Sequence, residues 1–355
     1  MRSVRPSAAS LVAAVAALWV IVLAGAARGT SAGDPRGLYV LGARFAHPPE
    51  LDGVRRWDGT GYDGQFFAAL AVDPLLLDAN TPRYLDGPAY RAGRIGLPLA
   101  AWIVALGNRR VALIVYPLLT WTLSLLGVWV AARWLEEDGR SVLWAAPLAL
   151  SVGMVSSMLR CLPDAAAASL LLLALWLDRR GRPGSIAALS FAALVRETSL
   201  IGAAVFAGVR WRRGERREAA LALAIPAGLA ALWRAWVFSR PGFGPYPLVD
   251  FGWPLRWGVD WVRMAPGTTL SARLAIGAVL LAIVAVLALP RPWSAVAWTY
   301  TGFAALALVL NIRVYDDAWS FGRVLAVPAA FAIAGFALLL ESTWIGAGLL
   351  RLVGH

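Results

Sequence analysis

The chain has 355 residues, 59% of them hydrophobic and 15% charged, where soluble domains average about 45–50% apolar. Its net charge of +12 comes almost wholly from arginines in short turns, without the stacked aromatic-basic ladder of a single-strand binder, so nucleic acid is set aside. Cys161 is the only cysteine and His47 and His355 are the only histidines. That excludes an intrachain disulfide and a cysteine zinc site, and leaves histidine metal sites and Ser-His chemistry poorly supplied.

Charge-free stretches of roughly 17–22 residues recur, the length that crosses a hydrocarbon core. They fall at 8–27, 111–132, 142–159, 219–238, 272–289, 295–311 and 324–342, with shorter apolar pieces at 95–107, 165–177 and 186–209. None alternates as a barrel strand does, so the expected fold is all-α and polytopic. The reading is one integral-membrane domain over 1–355 with roughly nine to eleven membrane segments. It comprises a first helix at 8–27, a long extracytoplasmic loop at 28–94, and a helical bundle at 95–342 with a second outer loop at 239–271. Arg2, Arg5 and Ala24-Gly25-Ala26 around the first apolar run have the look of a secretory signal. The expectation is an uncleaved helix, because the run is long for a signal and the rest is membrane-embedded.

Arg2 and Arg5 set the N-terminus inside, which puts 28–94 outside. The loops 178–184 and 210–218 are both strongly basic and both belong inside. The apolar stretch between them is broken by Arg196-Glu197-Thr198 and is therefore expected to be a hairpin, raising Arg196 and Glu197 toward the outer half of the membrane. Carried along the chain, this parity places 133–141 inside, Leu159 through Asp164 outside, 239–271 outside, Pro290-Arg291-Pro292 inside, and Asn311 through Arg323 outside. It requires 95–107, about 13 residues, to dip rather than span.

The polar cluster in the first loop is Arg55-Arg56-Trp57-Asp58-Gly59-Thr60-Gly61-Tyr62-Asp63-Gly64-Gln65-Phe66. Asp58 and Asp63 each precede a glycine, a common turn pair, and Asp63 could cap a helix starting at Gly64. Against that stands a catalytic role for one of the two carboxylates. Arg83, Arg91 and Arg94 flank Tyr84 and Tyr90 before the chain re-enters the bilayer, suited either to headgroup anchoring or to a lipid-linked phosphate. Arg196 and Glu197 are adjacent helical positions that do not face each other, so each needs a partner elsewhere, in the protein or in a ligand. Asp164 follows Pro163 at the start of an apolar helix, where a carboxylate is favoured by the helix dipole. Arg323, at the end of Tyr315-Asp316-Asp317-Ala318-Trp319-Ser320-Phe321-Gly322-Arg323, is a further phosphate candidate. Trp253, Trp257 and Trp261 read as a helix lying on the membrane.

No phosphate-binding glycine loop, Cys/His metal set or nucleophile elbow is present. Carboxylates and arginines on one membrane face suit group transfer from a phosphate-linked lipid. One carboxylate deprotonates the acceptor hydroxyl while arginines stabilise the departing phosphate.

Taken in order, these segments resemble the GT-C class of membrane glycosyltransferases. The resemblance rests on Trp57-Asp58, Tyr62-Asp63-Gly64-Gln65-Phe66, Arg94-Ile95-Gly96-Leu97-Pro98-Leu99, Pro163-Asp164, Leu194-Val195-Arg196-Glu197-Thr198 and Arg323. Bacterial cell-surface glycopolymer proteins with a Tyr-Asp-Gly-Gln-Phe loop are similar in this motif, and the Trp-Asp pair is similar to that of glycolipid-anchor mannosyltransferases. The resemblance implies a polyprenyl-phosphate-sugar donor and an active site on the extracytoplasmic side of a multi-pass plasma-membrane protein. It implies a first-loop aspartate, Asp58 or Asp63, as base. Arg91, Arg94, Gln65, Arg196, Glu197, Asp164 and Arg323 are then the substrate-binding candidates. The chain lacks the large C-terminal soluble domain of many members, so a lipid or growing-glycan acceptor is expected, with other envelope-assembly proteins as partners. The first loop has no Asp-X-Asp, so no metal or cofactor is expected. The rival readings are a transporter or flippase of a lipid-linked glycan, disfavoured by the lack of an internal repeat, and a non-catalytic subunit of a glycan-assembly complex.

Overall fold

A computed structural model describes residues 6–31 and 33–244, together with 298–299, 301–303 and 306. Arg323, the 253–261 tryptophans and the apolar runs at 272–289 and 324–342 lie outside the described residues, as do most of 295–311 and of the loop 239–271.

The described chain is mostly helical. Three helices are long and apolar enough to cross a membrane. These are α1 (Ala8–Ser31), α5 (Arg109–Glu137) and α11 (Arg216–Phe238). They overrun the apolar stretches read at 8–27, 111–132 and 219–238 by a few polar or charged residues at one or both ends. The stretch read as one segment at 142–159 is instead two helices, α6 (Ala146–Ala149) and α7 (Val152–Leu159), bent by 53°. The bend has a local cause: Ser151 is extended and its hydroxyl accepts from the Met154 amide, restarting the helix. If the pair is one broken span, the long candidates number up to four.

Shorter helices fill the rest. They are α2 (Gly64–Val72), α3 (Pro88–Ala92), α4 (Gly96–Val104), α8 (Asp164–Arg179), α9 (Ser185–Val195) and α10 (Leu200–Arg212). At about 1.5 Å per residue, α4 covers roughly 14 Å and cannot cross a bilayer. The chain turns back through Leu106 and Gly107, both left-handed. The Asn108 side chain then caps α5 by accepting from the Arg110 and Val111 amides.

The expected hairpin around Arg196 is present. Arg196 pairs with Asp164 at the start of α8, while Arg210 pairs with Asp178 at its end. Thus α9 runs against α8 and α10 returns. Arg179–Asp138 and Arg180–Glu137 tie the ends of α8 and α5 together at the same pole as Arg210. Close packing uses small residues: a Cβ on Gly127 of α5 would lie 2.2 Å from the Ser169 hydroxyl of α8.

The first loop is not a peripheral excursion. Every residue of α2 is buried, as expected of a helix apolar on all sides. Its base is a short parallel ladder, β1 (Leu41–Gly42) with β2 (Arg56–Trp57), in the register Leu41↔Arg56 and Gly42↔Trp57. Gly42 and Gly61 press together there. A Cβ on Gly61 would lie 2.3 Å from the Gly42 nitrogen, and Gly61 has φ +65, a conformation that favours glycine. The far end of the loop is pinned by α11, whose Trp233, Arg234 and Trp236 donate to the carbonyls of Ala92, Ala89 and Leu75.

Candidate functional site at one pole of the bundle

The helix after Asp63 starts at Gly64, as the spacing predicts, but Asp63 does not cap it. Its backbone is helical (φ −57, ψ −26) and its side chain makes no capping bond. The carboxylate instead accepts from an Arg91 Nη at 2.9 Å. Arg91 is buried and is shared with Asp86, to which it donates from Nε at 2.8 Å and Nη at 2.7 Å. It also lies over the Phe66 and Tyr90 rings. Burial opposes the Arg91 charge, but Asp63 and Asp86 outweigh it and raise its pKa. Asp86 did not stand out in the sequence, where Asp86-Gly87-Pro88 reads as an ordinary turn.

Asp58 stands apart from this network. It is exposed in the bend between β2 and Gly61 and makes no hydrogen bond or ion pair among the described residues. Gln65, expected to bind substrate, is fully engaged with the loop backbone. Its carbonyl accepts from the Gly42 amide at 2.9 Å and its amide donates to the Thr60 carbonyl at 2.6 Å. It therefore shapes the segment that carries both aspartates.

Arg196 and Glu197 also find partners. Glu197 takes a two-pronged ion pair from Arg94, Nε at 3.0 Å and Nη at 2.7 Å. The same Arg94 donates to the Tyr90 hydroxyl at 2.7 Å and lies over its ring. Arg196, adjacent in sequence, pairs with the buried Asp164. The two neighbours do take separate partners, both in the protein, but not as adjacent helical positions: Arg196 is extended (φ −154, ψ 123) where α9 ends, and Glu197 opens a short 3-10 turn. So Asp63, Arg91, Arg94, Asp164, Arg196 and Glu197 gather at one pole, joined through Tyr90 and the first loop. Arg91, Arg94 and Arg196 are each committed to a carboxylate.

Arg160, at the end of α7, was not singled out by sequence. Its guanidinium lies 5.5 Å from the centroid of the Tyr62 ring. Its carbonyl touches Gly64 so closely that a Cβ there would lie 2.2 Å from it. The residues on either side of Asp63 are therefore both in contact with Arg160. The only sequence signal was its place in the polar turn before Asp164.

Among the described residues no group of three or more His, Cys, Asp or Glu side chains could hold a metal ion. Chemically, the pole offers a partly exposed carboxylate oriented by a guanidinium, arginines in fixed forks, and aromatic faces at the end of an apolar bundle. No protein-family model, curated protein or solved structure matches the chain.

Proposed function

We propose that the protein is an inverting, GT-C-like glycosyltransferase with roughly nine to eleven membrane segments, working on the outer face of the plasma membrane. It moves a sugar from a polyprenyl-phosphate donor to a lipid or glycan acceptor. Asp63 takes the proton from the acceptor hydroxyl, and the oxygen attacks the anomeric carbon. The bond from that carbon to the phosphate oxygen breaks, and the polyprenyl phosphate leaves with the electron pair. As written, the reaction needs no cofactor, and a phosphate leaving group needs little acid assistance. Other envelope-assembly proteins are the partners this reading implies.

The observation that carries the reading is Asp63 itself. A carboxylate at the first turn of a buried helix would ordinarily cap it. This one is held by Arg91, at the pole where three separate ion pairs join first-loop, α8 and hairpin residues. Asp58, exposed five positions earlier, is the second candidate for the base.

The test is sugar transfer by the purified full-length protein with a panel of polyprenyl-phosphate sugars. Asp63→Asn is expected to lower turnover by about 10²–10⁴-fold, the usual worth of a general base, and Asp58→Asn by far less. Full activity in both variants would sink the reading. Loss in Asp58→Asn alone would move the base to that residue.

A further inference from the structure

We propose that Arg160 receives the anionic phosphate of a lipid-linked ligand beside Asp63; this rests on the transferase reading above. Three of the arginines that sequence marks for phosphate are already occupied, while Arg83 is exposed and Arg323 lies outside the described residues. Arg91 holds Asp63 and Asp86, Arg94 holds Glu197, and Arg196 holds Asp164. Drawing any of them to a ligand would strand a carboxylate that is partly or wholly removed from water, a strongly unfavourable exchange.

Arg160 differs. It is half-buried and has no carboxylate within ion-pair distance among the described residues. Its guanidinium lies over the face of Tyr62. A guanidinium stacked on a ring keeps its N–H edge for an anion, and two of those donors match two phosphate oxygens. Its location suits the reaction. Tyr62 under the guanidinium and Gly64 against the Arg160 carbonyl flank Asp63 in the chain, so a phosphate held by Arg160 lies beside the segment that carries that carboxylate. The backbone fixes it there: Cys161 is left-handed at φ 53, turning the chain sharply between α7 and α8.

Arg234 is a competitor. It too is half-buried at this pole, yet it lies flat on Gly93, where a Cβ would meet its guanidinium at 2.6–2.7 Å, and donates to the Ala89 carbonyl. It serves the loop backbone.

The experiment measures farnesyl phosphate binding by tryptophan fluorescence, with the full-length protein in nanodiscs and with inorganic phosphate and farnesol as separate probes. Wild type is expected to bind farnesyl phosphate more tightly than either. Arg160→Gln is expected to weaken it by about tenfold or more, the loss of a charge-assisted contact, with the melting temperature unchanged. Arg160→Lys keeps the charge without the fork and should fall between, and it serves as the test should Gln fail to fold. Equal binding by Arg160→Gln and wild type, or no binding by wild type, overturns the subsite. Inorganic phosphate binding as tightly as farnesyl phosphate overturns the lipid as its source. Arg160-dependent binding without sugar transfer by wild type would sink the transferase and leave the subsite standing. Transfer with binding indifferent to Arg160 would do the reverse.

Discussion

The Tyr39 hydroxyl donates to the Leu113 carbonyl at 2.8 Å, and that carbonyl is the one Pro117 leaves without its helical donor. Proline has no N–H, so the group four residues back in α5 must find another partner or remain unsatisfied. Tyr39 is wholly buried, and this bond, with the Arg109–Glu50 ion pair, ties the first loop to the longest helix described.

Tyr39→Phe should therefore lower stability by about 1–3 kcal/mol, the cost of a buried acceptor left unpaired. In a Pro117→Ala background the helix can close its own bond to Leu113, and the same Tyr39→Phe change should cost clearly less. Thermal unfolding of the four proteins in one detergent measures the coupling. Additive losses would show that Tyr39 acts only through ring packing.

The Arg94–Glu197 pair holds the hairpin apex to the first loop, 103 residues away. Glu197→Gln leaves Arg94 buried without its countercharge and should cost about 2 kcal/mol. Replacing both by methionine should cost less than the sum of the single changes, because no uncompensated charge is left behind. Unfolding midpoints across the cycle decide it.

Gly61→Ala must fail at the Gly42 contact, since its Cβ would lie 2.3 Å from the Gly42 nitrogen and 2.4 Å from the Val40 carbonyl oxygen. Overpacking of this kind costs about 1–3 kcal/mol. The expected readout is faster limited proteolysis between residues 41 and 62, with far-ultraviolet dichroism unchanged because the long helices are untouched. Protection equal to wild type would refute the clasp.

Gln65→Leu removes the partners of the Gly42 amide and the Thr60 carbonyl. If Gln65 only shapes the loop, its loss should reduce kcat and melting temperature together, with little change in donor KM. A rise in KM at constant kcat and stability would return Gln65 to the substrate.

His47 supplies a pH dependence. Burial lowers its pKa; its bond to the Gly42 carbonyl opposes this in part, and the Arg56 charge adds to the lowering. The unfolded chain then binds the proton more readily than the folded one. The stability is present above the unfolded value of about 6.5 and is lost as pH falls through it toward the folded value. Melting curves between pH 7.5 and pH 5 should show that decline, and His47→Gln should flatten it.

Much of the architecture is local and was legible in the sequence. The long apolar runs of α1, α5 and α11 are membrane-length by counting alone, because burying a helical backbone in lipid is decided segment by segment. The hairpin at Arg196 followed from two basic loops that belong on one side, and the helix start at Gly64 from apolar spacing. The bend at Ser151 was missed because hydropathy is blind to one serine that caps a new turn within an unbroken apolar run. The partners of the charged residues were also beyond reach. Arg94 meets Glu197, Arg196 meets Asp164, and Arg91 divides itself between Asp63 and Asp86, contacts that depend on how distant helices pack. Sequence by itself determined that carboxylates and arginines would be forced toward the ends of an apolar bundle, since lipid penalises them anywhere else. Only the tertiary structure decided which cations are neutralised by protein and which, like Arg160, stack on a ring with no carboxylate in reach, because pairing depends on distances of a few ångströms between residues far apart in the chain.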